Sequence, residues 1–288
     1  MSASIHFSGE IIASRQNRRI VELMKLDDRR AREKTRTFRF DGVKLLCEAI
    51  SRGVELEAVF LREGTALKVA ERVQELYGYT LSDVGCPIFR VEDSLFEKIS
   101  QENAPDGVIT VAKYIDKSHN FIIIYNEDEN DAKKDAPMLL LESVRDPLNV
   151  GAIIRSAAAL GVSRIVMSAD CADIYHPRTL RAAMGPLFSM PITRVEDLPG
   201  TVTALRAGGR SIYAAALDDT AICLGSADFD RERRGHPVGA VIGNEGHGLS
   251  EAVIAACNRS VYIPMEADTE SLNAGVAAAL IMWELGRR

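Results

Sequence analysis

From Met138 onward the sequence alternates short apolar runs with amphipathic stretches, and that alternation decides the architecture. Residues 138–143, 164–168, 192–195, 211–217, 239–243 and 261–264 read as strands, and residues 150–160, 178–184, 202–207 and 271–285 as helices. Repeated β-α alternation predicts an α/β domain, a parallel sheet with helices on both faces. Ligands of such sheets bind in the loops beyond the strand carboxyl ends. Chemistry is therefore sought in those loops.

The preceding part reads as a second, smaller α/β unit. One amphipathic helix is expected over 17–31 and others over 43–50 and 66–76, with strands at 56–61, 87–91 and 107–114. Residues 126–135 (NEDENDAKKD) are almost wholly polar and read as an exposed loop, and the apolar run 121–125 before them as a strand of either part. The expected division is residues 1–115, a linker or insertion over 116–137, and residues 138–288. A chain of 288 residues with 47% hydrophobic content supports two domains.

The whole chain carries a net charge of −6, yet residues 14–39 hold ten basic and four acidic side chains, a local +6 against −12 for the remainder. Such a segment is either the electrostatic footprint of a polyanion or a solvated helical face of mixed charge. No run is apolar enough to span a membrane, and the first residues have no signal-peptide core. The five cysteines are scattered, without a CxxC pair, so neither a zinc site nor a disulfide framework is expected. Reduced thiols, a cytoplasmic location and no metal fit that pattern.

Three loops stand out. After the first strand comes Arg145-Asp146-Pro147-Leu148-Asn149-Val150-Gly151, with Arg155 about one helical turn beyond Gly151. Pro147 and Asn149 read as helix-start residues, and a guanidinium near a helix start can grip a phosphate. After the strand ending at Gly243 comes Asn244-Glu245-Gly246-His247-Gly248-Leu249-Ser250, a glycine-rich loop that is neither a P-loop nor GxGxxG. It is a cofactor-wrapping loop or a plain turn capped by Ser250. The third is Ile263-Pro264-Met265, followed after five residues by Ser271-Leu272-Asn273. Ser271 and Asn273 suit a helix start. Leu272, Val276, Leu280 and Trp283 are spaced as a core-facing stripe.

Together these stretches resemble the SpoU (TrmH-like) family of the SPOUT methyltransferase superfamily. Asn149, Gly151 and Arg155 match its first motif. Gly243 to Leu249 match its Gly-Asn-Glu-Gly-x-Gly-Leu motif. Ile263-Pro264-Met265 with Ser271-Leu272-Asn273 match its third. The basic helix followed by Phe38-Arg39-Phe40-Asp41-Gly42 is similar to the family's ribosomal-protein-like RNA-binding domain, and His176-Pro177 to Met184-Gly185 to its middle loop. The chain departs from the pattern at Ala267, where glycine is usual, and at Ala274-Gly275.

The resemblance implies S-adenosylmethionine-dependent methylation of an RNA ribose 2′-hydroxyl, ribosomal RNA before transfer RNA, by a homodimer whose C-terminal domain holds a trefoil knot. It implies that Arg155 activates the hydroxyl, that Asn149, Glu245, Ser271 and Asn273 complete the catalytic set, and that Gly243, Ile263, Met265, Leu272 and Leu217 hold the cofactor. Arg15, Arg18, Arg19, Arg29, Arg30 and Arg32 then become the candidates for RNA contact. Two other readings are a non-catalytic RNA-binding protein of the same fold and a Rossmann-type nucleotide enzyme, which the missing GxGxxG disfavours.

Overall fold

The computed structural model describes residues 6–81, 84–115, 117–118, 135–266 and 271–287. The polar loop and apolar run expected over 121–135 fall outside these, save Asp135, as does the departure at Ala267. Two compact units are present. One comprises residues 1–115 with 175–180, the other residues 116–174 with 181–288.

The first unit opens with α1 (Arg18–Lys25) and α2 (Arg29–Thr35), then β1 (Thr37–Asp41), α3 (Val43–Ser51), β2 (Leu56–Arg62), α4 (Ala66–Tyr77), β3 (Ile88–Val91), α5 (Asp93–Ile99) and β4 (Val108–Lys113). Its sheet runs β1-β4-β2-β3, antiparallel except for the β2–β3 pair. The single helix expected over 17–31 is two. The Asp28 side chain accepts from Ala31 N and caps a new helix, so the apolar periodicity survives while the axis breaks.

Arg32, one of the expected RNA contacts, is a correction. It is buried, and its Nη1 donates to Leu26 O at 2.7 Å and Asp27 O at 3.0 Å. It satisfies carbonyls left over where α1 ends. Arg39 is buried too, with Nε 3.5 Å from Asp27 Oδ1 and Nη2 3.9 Å from Asp41 Oδ1, and it donates to Ile99 O. Burial pushes the Asp41 carboxyl above the usual range, and the Arg39 charge opposes it.

The second unit contains β5 (Lys117–Ser118), β6 (Met138–Leu141), α6 (Pro147–Ala159), β7 (Arg164–Ser168), α7 (Pro177–Ala183, shared with the first unit), β8 (Ile192–Val195), α8 (Leu198–Ala207) and β9 (Ser211–Ala215). It continues with β10 (Ile222–Cys223), α9 (Ala227–Arg233), β11 (Val238–Ile242), α10 (Glu251–Ala256), β12 (Arg259–Tyr262) and α11 (Ala274–Gly286). The sheet order is β10-β12-β9-β11-β6-β7-β8-β5, and every pairing is parallel. β6 and β11 are buried along their whole length, as continuous apolar runs covered on both faces must be. Leu140, Val166, Val241 and Ile212 pack with Val202 and Leu205 of α8 and Val253 of α10. Alternate strand residues point to the other face, where α6 and α11 pack on each other and α11 also meets β11. Among the described residues no helix is long and apolar enough to cross a membrane.

The expected core stripe on the last helix is also corrected. Val276 is 49% exposed, Leu280 41% and Trp283 60%, while Ala274, Ala278, Ile281, Met282 and Leu285 are buried. The helix is apolar on every side, so periodicity alone did not choose its inner face. The inner face carries Ala274 and Ala278 together with Ile281, Met282 and Leu285, and α11 packs there against α6. A Cβ at Gly275 would sit 3.5 Å from Ala152 Cβ and 3.1 Å from Asn273 Oδ1.

Removing Arg39 leaves the buried Asp41 without its cationic neighbour, held only by Ser100 Oγ at 2.6 Å and Gln101 N at 2.9 Å. Arg39→Ala is expected to cost about 3–5 kcal/mol, read by urea denaturation of the purified chain. A loss below about 1 kcal/mol contradicts the role given to this pair.

Candidate functional site

The parallel sheet directs the loops after β6, β9, β11 and β12 to one edge. There a cavity of about 850 Å³ is lined by Ala215 to Leu217, Ile242 to Glu245, His247 to Leu249, Tyr262 to Glu266, and Ser271 and Leu272, with Ile254, Val261, Ala274, Ala277 and Ile281 beneath. Its size and its mixture of aliphatic side chains with polar loop backbone are those of a small-molecule site.

The glycine-rich loop turns back on itself. Asn244 N donates to Gly248 O at 3.0 Å, and Gly248 N to Asn244 O at 2.9 Å. A Cβ on Gly243 would stand 2.4 Å from the Gly248 carbonyl carbon and 2.7 Å from Leu249 N. Only glycine permits that closure. Asn244 Oδ1 accepts from Gly246 N at 2.8 Å and His247 N at 3.2 Å, and its Nδ2 donates to Ser143 O at 2.8 Å. Ser250 caps α10, and Glu142 at the end of β6 accepts from both Ser250 N at 2.8 Å and Ser250 Oγ at 2.7 Å.

Asn149 joins all three loops. It was expected as a helix-start residue, but α6 begins earlier, at Pro147, with Asp146 as its cap. Asn149 is therefore free of capping and lies buried in the first turn. Its Nδ2 donates to Glu245 Oε1, and its Oδ1 accepts from Asn273 Nδ2 at 2.8 Å. Asn273 in turn caps α11, its Oδ1 accepting from Gly275 N at 2.9 Å and Val276 N at 3.3 Å. Ser271 does not cap; it is exposed and lines the cavity.

Most of the residues expected from the sequence therefore meet. Gly243, Glu245, Ile263, Met265, Leu217, Ser271 and Leu272 all line the cavity, with Leu217 on its rim at 81% exposure. Asn149 and Asn273 reach it through Glu245. Arg155 is not among the lining residues. It is exposed on α6, on the same stripe as Leu148 and Ala152, and forms no hydrogen bond or ion pair among the described residues. Ala215, Ala216, Ile254, Ala277 and Ile281 escaped the sequence reading because small or apolar side chains look like core, and Tyr262 because it reads as part of a strand. The carboxyl ends of β9 and β12 were the available signal.

In the first unit, Arg18 pairs with Glu22 at 2.8 Å and Arg29 with Glu33 at 2.7 Å. The Arg19 guanidinium lies 3.9 Å from the Phe89 ring centre. Arg15 and Arg30 are exposed and make no ion pair among the described residues.

Comparison with known proteins agrees with this geometry. Residues 136–283 match the model of the SpoU rRNA Methylase family, and residues 17–110 that of an MRM3-like substrate binding domain. The Bacillus subtilis (strain 168) 23S rRNA (guanosine(2553)-2'-O)-methyltransferase RlmP is 27% identical over 274 residues, covering 95% of this chain and 98% of that protein. A 23S rRNA (uridine(2479)-2'-O)-methyltransferase of Streptomyces viridochromogenes is 34% identical over 200 residues, covering 68% and 65%. Among solved structures, the SpoU methyltransferase AviRb from Streptomyces viridochromogenes, in complex with AdoMet, superposes with a TM-score of 0.74 at 26% identity, covering 94% of this chain and 98% of that one. An AdoMet-bound rRNA methyltransferase from Sinorhizobium meliloti shares the fold, with a TM-score of 0.78 at 23% identity, covering 96% of this chain and 97% of that one. With a family model spanning just over half its length, the chain belongs to the SpoU rRNA methylase family.

Proposed function

We propose that the chain transfers the methyl group of S-adenosylmethionine to a ribose 2′-hydroxyl of ribosomal RNA. One observation carries the reading. The cavity formed by the second and third loops is tied to α6, which bears Arg155, through the Glu245–Asn149–Asn273 chain of hydrogen bonds. The relatives named for 2′-O-methylation of 23S rRNA and the neighbour bound to AdoMet support it.

The cavity fits the cofactor. Its volume takes a nucleoside with a short aliphatic chain, and its wall combines loop backbone with Ile242, Ile254, Val261 and Ile281. Backbone groups of Gly243, Ile263 and Leu272 would hold the adenosine, with Met265 and Leu217 on its apolar side. When bound, the cofactor supplies an already activated methyl on a sulfonium, so the protein's task is alignment and removal of one proton.

Arg155, exposed and without an acidic partner among the described residues, keeps its guanidinium for a phosphate beside the target ribose, and from there polarises the hydroxyl. A guanidinium is a poor proton acceptor, so the proton needs another group. Glu245 is the group to receive it, directly or relayed through the Ser271 hydroxyl. Asn149 fixes the Glu245 carboxylate, and Asn273 fixes Asn149. Arg15, Arg18, Arg19, Arg29 and Arg30 offer the first unit's charge to the RNA backbone, and the protein works in the cytoplasm, where its free cysteines stay reduced.

A homodimer and a knot belong to the same reading. Val276, Leu280 and Trp283 form an exposed apolar face on α11, and Leu148 a similar point on the adjoining α6. A second copy covering this face by two-fold symmetry meets the same apolar surface. β11 enters between β6 and β9, both earlier in the chain, and α11 then returns to α6, as a threaded segment requires.

Arg155→Ala is expected to lower methyl transfer about 10²-fold or more, with S-adenosylmethionine affinity by calorimetry unchanged. Near-normal transfer by that variant contradicts the assignment. Trp283→Glu is expected to convert a dimer into a monomer by sedimentation equilibrium; a wild-type monomer, or an unaltered mutant dimer, removes that face from the interface.

A further inference from the structure

Two loops at the carboxyl edge of the parallel sheet are fastened together by a carboxylate that the cavity does not use. Asp170, in the loop after β7, accepts from Ser143 Oγ at 2.6 Å, from Ser168 Oγ at 2.6 Å and from Arg145 Nη2 at 3.1 Å. These bonds, that of Ser143 foremost, hold its pKa down at about 2. The loop is itself anchored. Arg194 of β8 donates Nη1 to Ala169 O and Nη2 to Ala172 O, each at 3.2 Å, and Ala172 N donates to Val144 O at 2.9 Å. Ser143 stands at φ 54°, in the left-handed region that non-glycine residues seldom use. Its N–H donates to Ser168 Oγ at 2.9 Å. A backbone held in such a conformation by its neighbours points to function.

What this arrangement orders is Arg145. Its side chain is 69% exposed. Its Nη2 is fixed by Asp170, and its Nε and Nη1 donors make no hydrogen bond among the described residues. An exposed pair of this kind adds little to stability, and the fastening of the two loops by Ser143 and Ser168 does not need Arg145. A guanidinium steadied on one edge and open on the other suits a phosphate. Its position is also defined. Ser143 O accepts from Asn244 Nδ2, and Asn149 donates to Glu245, so the chain is clamped to the glycine-rich loop on both sides of Arg145.

We infer that Arg145 binds a backbone phosphate of the RNA close to the methylated nucleotide, with Asp170 as the positioning residue that presents it. The inference rests on the reading of the chain as an RNA methyltransferase. Arg155 and Arg145 then grip the strand at two points, which restricts the target ribose before reaction. A phosphate contact sets register and carries no base preference.

The test uses unmodified 23S ribosomal RNA transcribed in vitro and the full chain. Arg145→Ala is expected to weaken RNA binding and raise KM for RNA about tenfold, with kcat and S-adenosylmethionine affinity held within about twofold. The slope of log Kd against log salt should fall by about one contact. Arg145→Lys should keep most of that slope while losing part of the affinity. Asp170→Asn should shift KM in the same direction and add nothing in the double variant. A purely structural Arg145 would alter thermal stability and leave the salt slope in place. Wild-type RNA affinity and salt slope in Arg145→Ala, with a wild-type chain that methylates the RNA, overturn the inference alone. A wild-type chain that neither binds nor methylates the RNA overturns both it and the reading beneath it.

Discussion

The carboxamide of Asn149 is the interaction on which the rest of the site depends. One buried side chain donates to Glu245 of the glycine-rich loop and accepts from Asn273, which caps the last helix. Glutamate accepts only, whereas asparagine both donates and accepts, and the relay needs both capacities in one residue. Asn149 alone of the three is buried, and a buried carboxamide needs its donor and its acceptor both satisfied. Here the Asn273 oxygen closes the chain on two backbone N–H groups at the start of α11. The loops of three separate strands consequently share one alignment.

The sheet makes that relay possible. Because every pairing is parallel, the loops after β6, β9, β11 and β12 emerge at one edge. The hydrogen bonds of Glu142 to Ser250 and of Asn244 to Ser143 O then pin the first loop against the second. The side-chain chemistry is local, but its precision derives from the register of β6 beside β11.

Much of this was legible in the sequence, for identifiable reasons. The alternation from Met138 announced a parallel sheet because strands buried on both faces must be apolar throughout. Asn149 and Asn273 stood out as helix-start residue types, and Gly243 as the head of a glycine-rich loop. Arg32 misled because sequence counts charge and not burial; its guanidinium serves carbonyls at the end of α1. The stripe of Val276, Leu280 and Trp283 misled because α11 has no polar face against which to orient it. Asp170 was invisible. Its importance comes from Ser143 and Arg145, some 25 residues away in sequence and joined to it only by the fold.

The last helix has a thermodynamic consequence. Ala274, Ala277 and Ile281 of α11 form part of the cavity wall, while Ala278, Met282 and Leu285 are buried on the protein side. A ligand that fills the cavity binds only the docked helix, so its free concentration enters the stability of that docking by mass action. Amide hydrogen exchange along α11 thus becomes a gauge of cofactor occupancy, slowing as the cavity fills and reporting through the backbone what the distant loops hold.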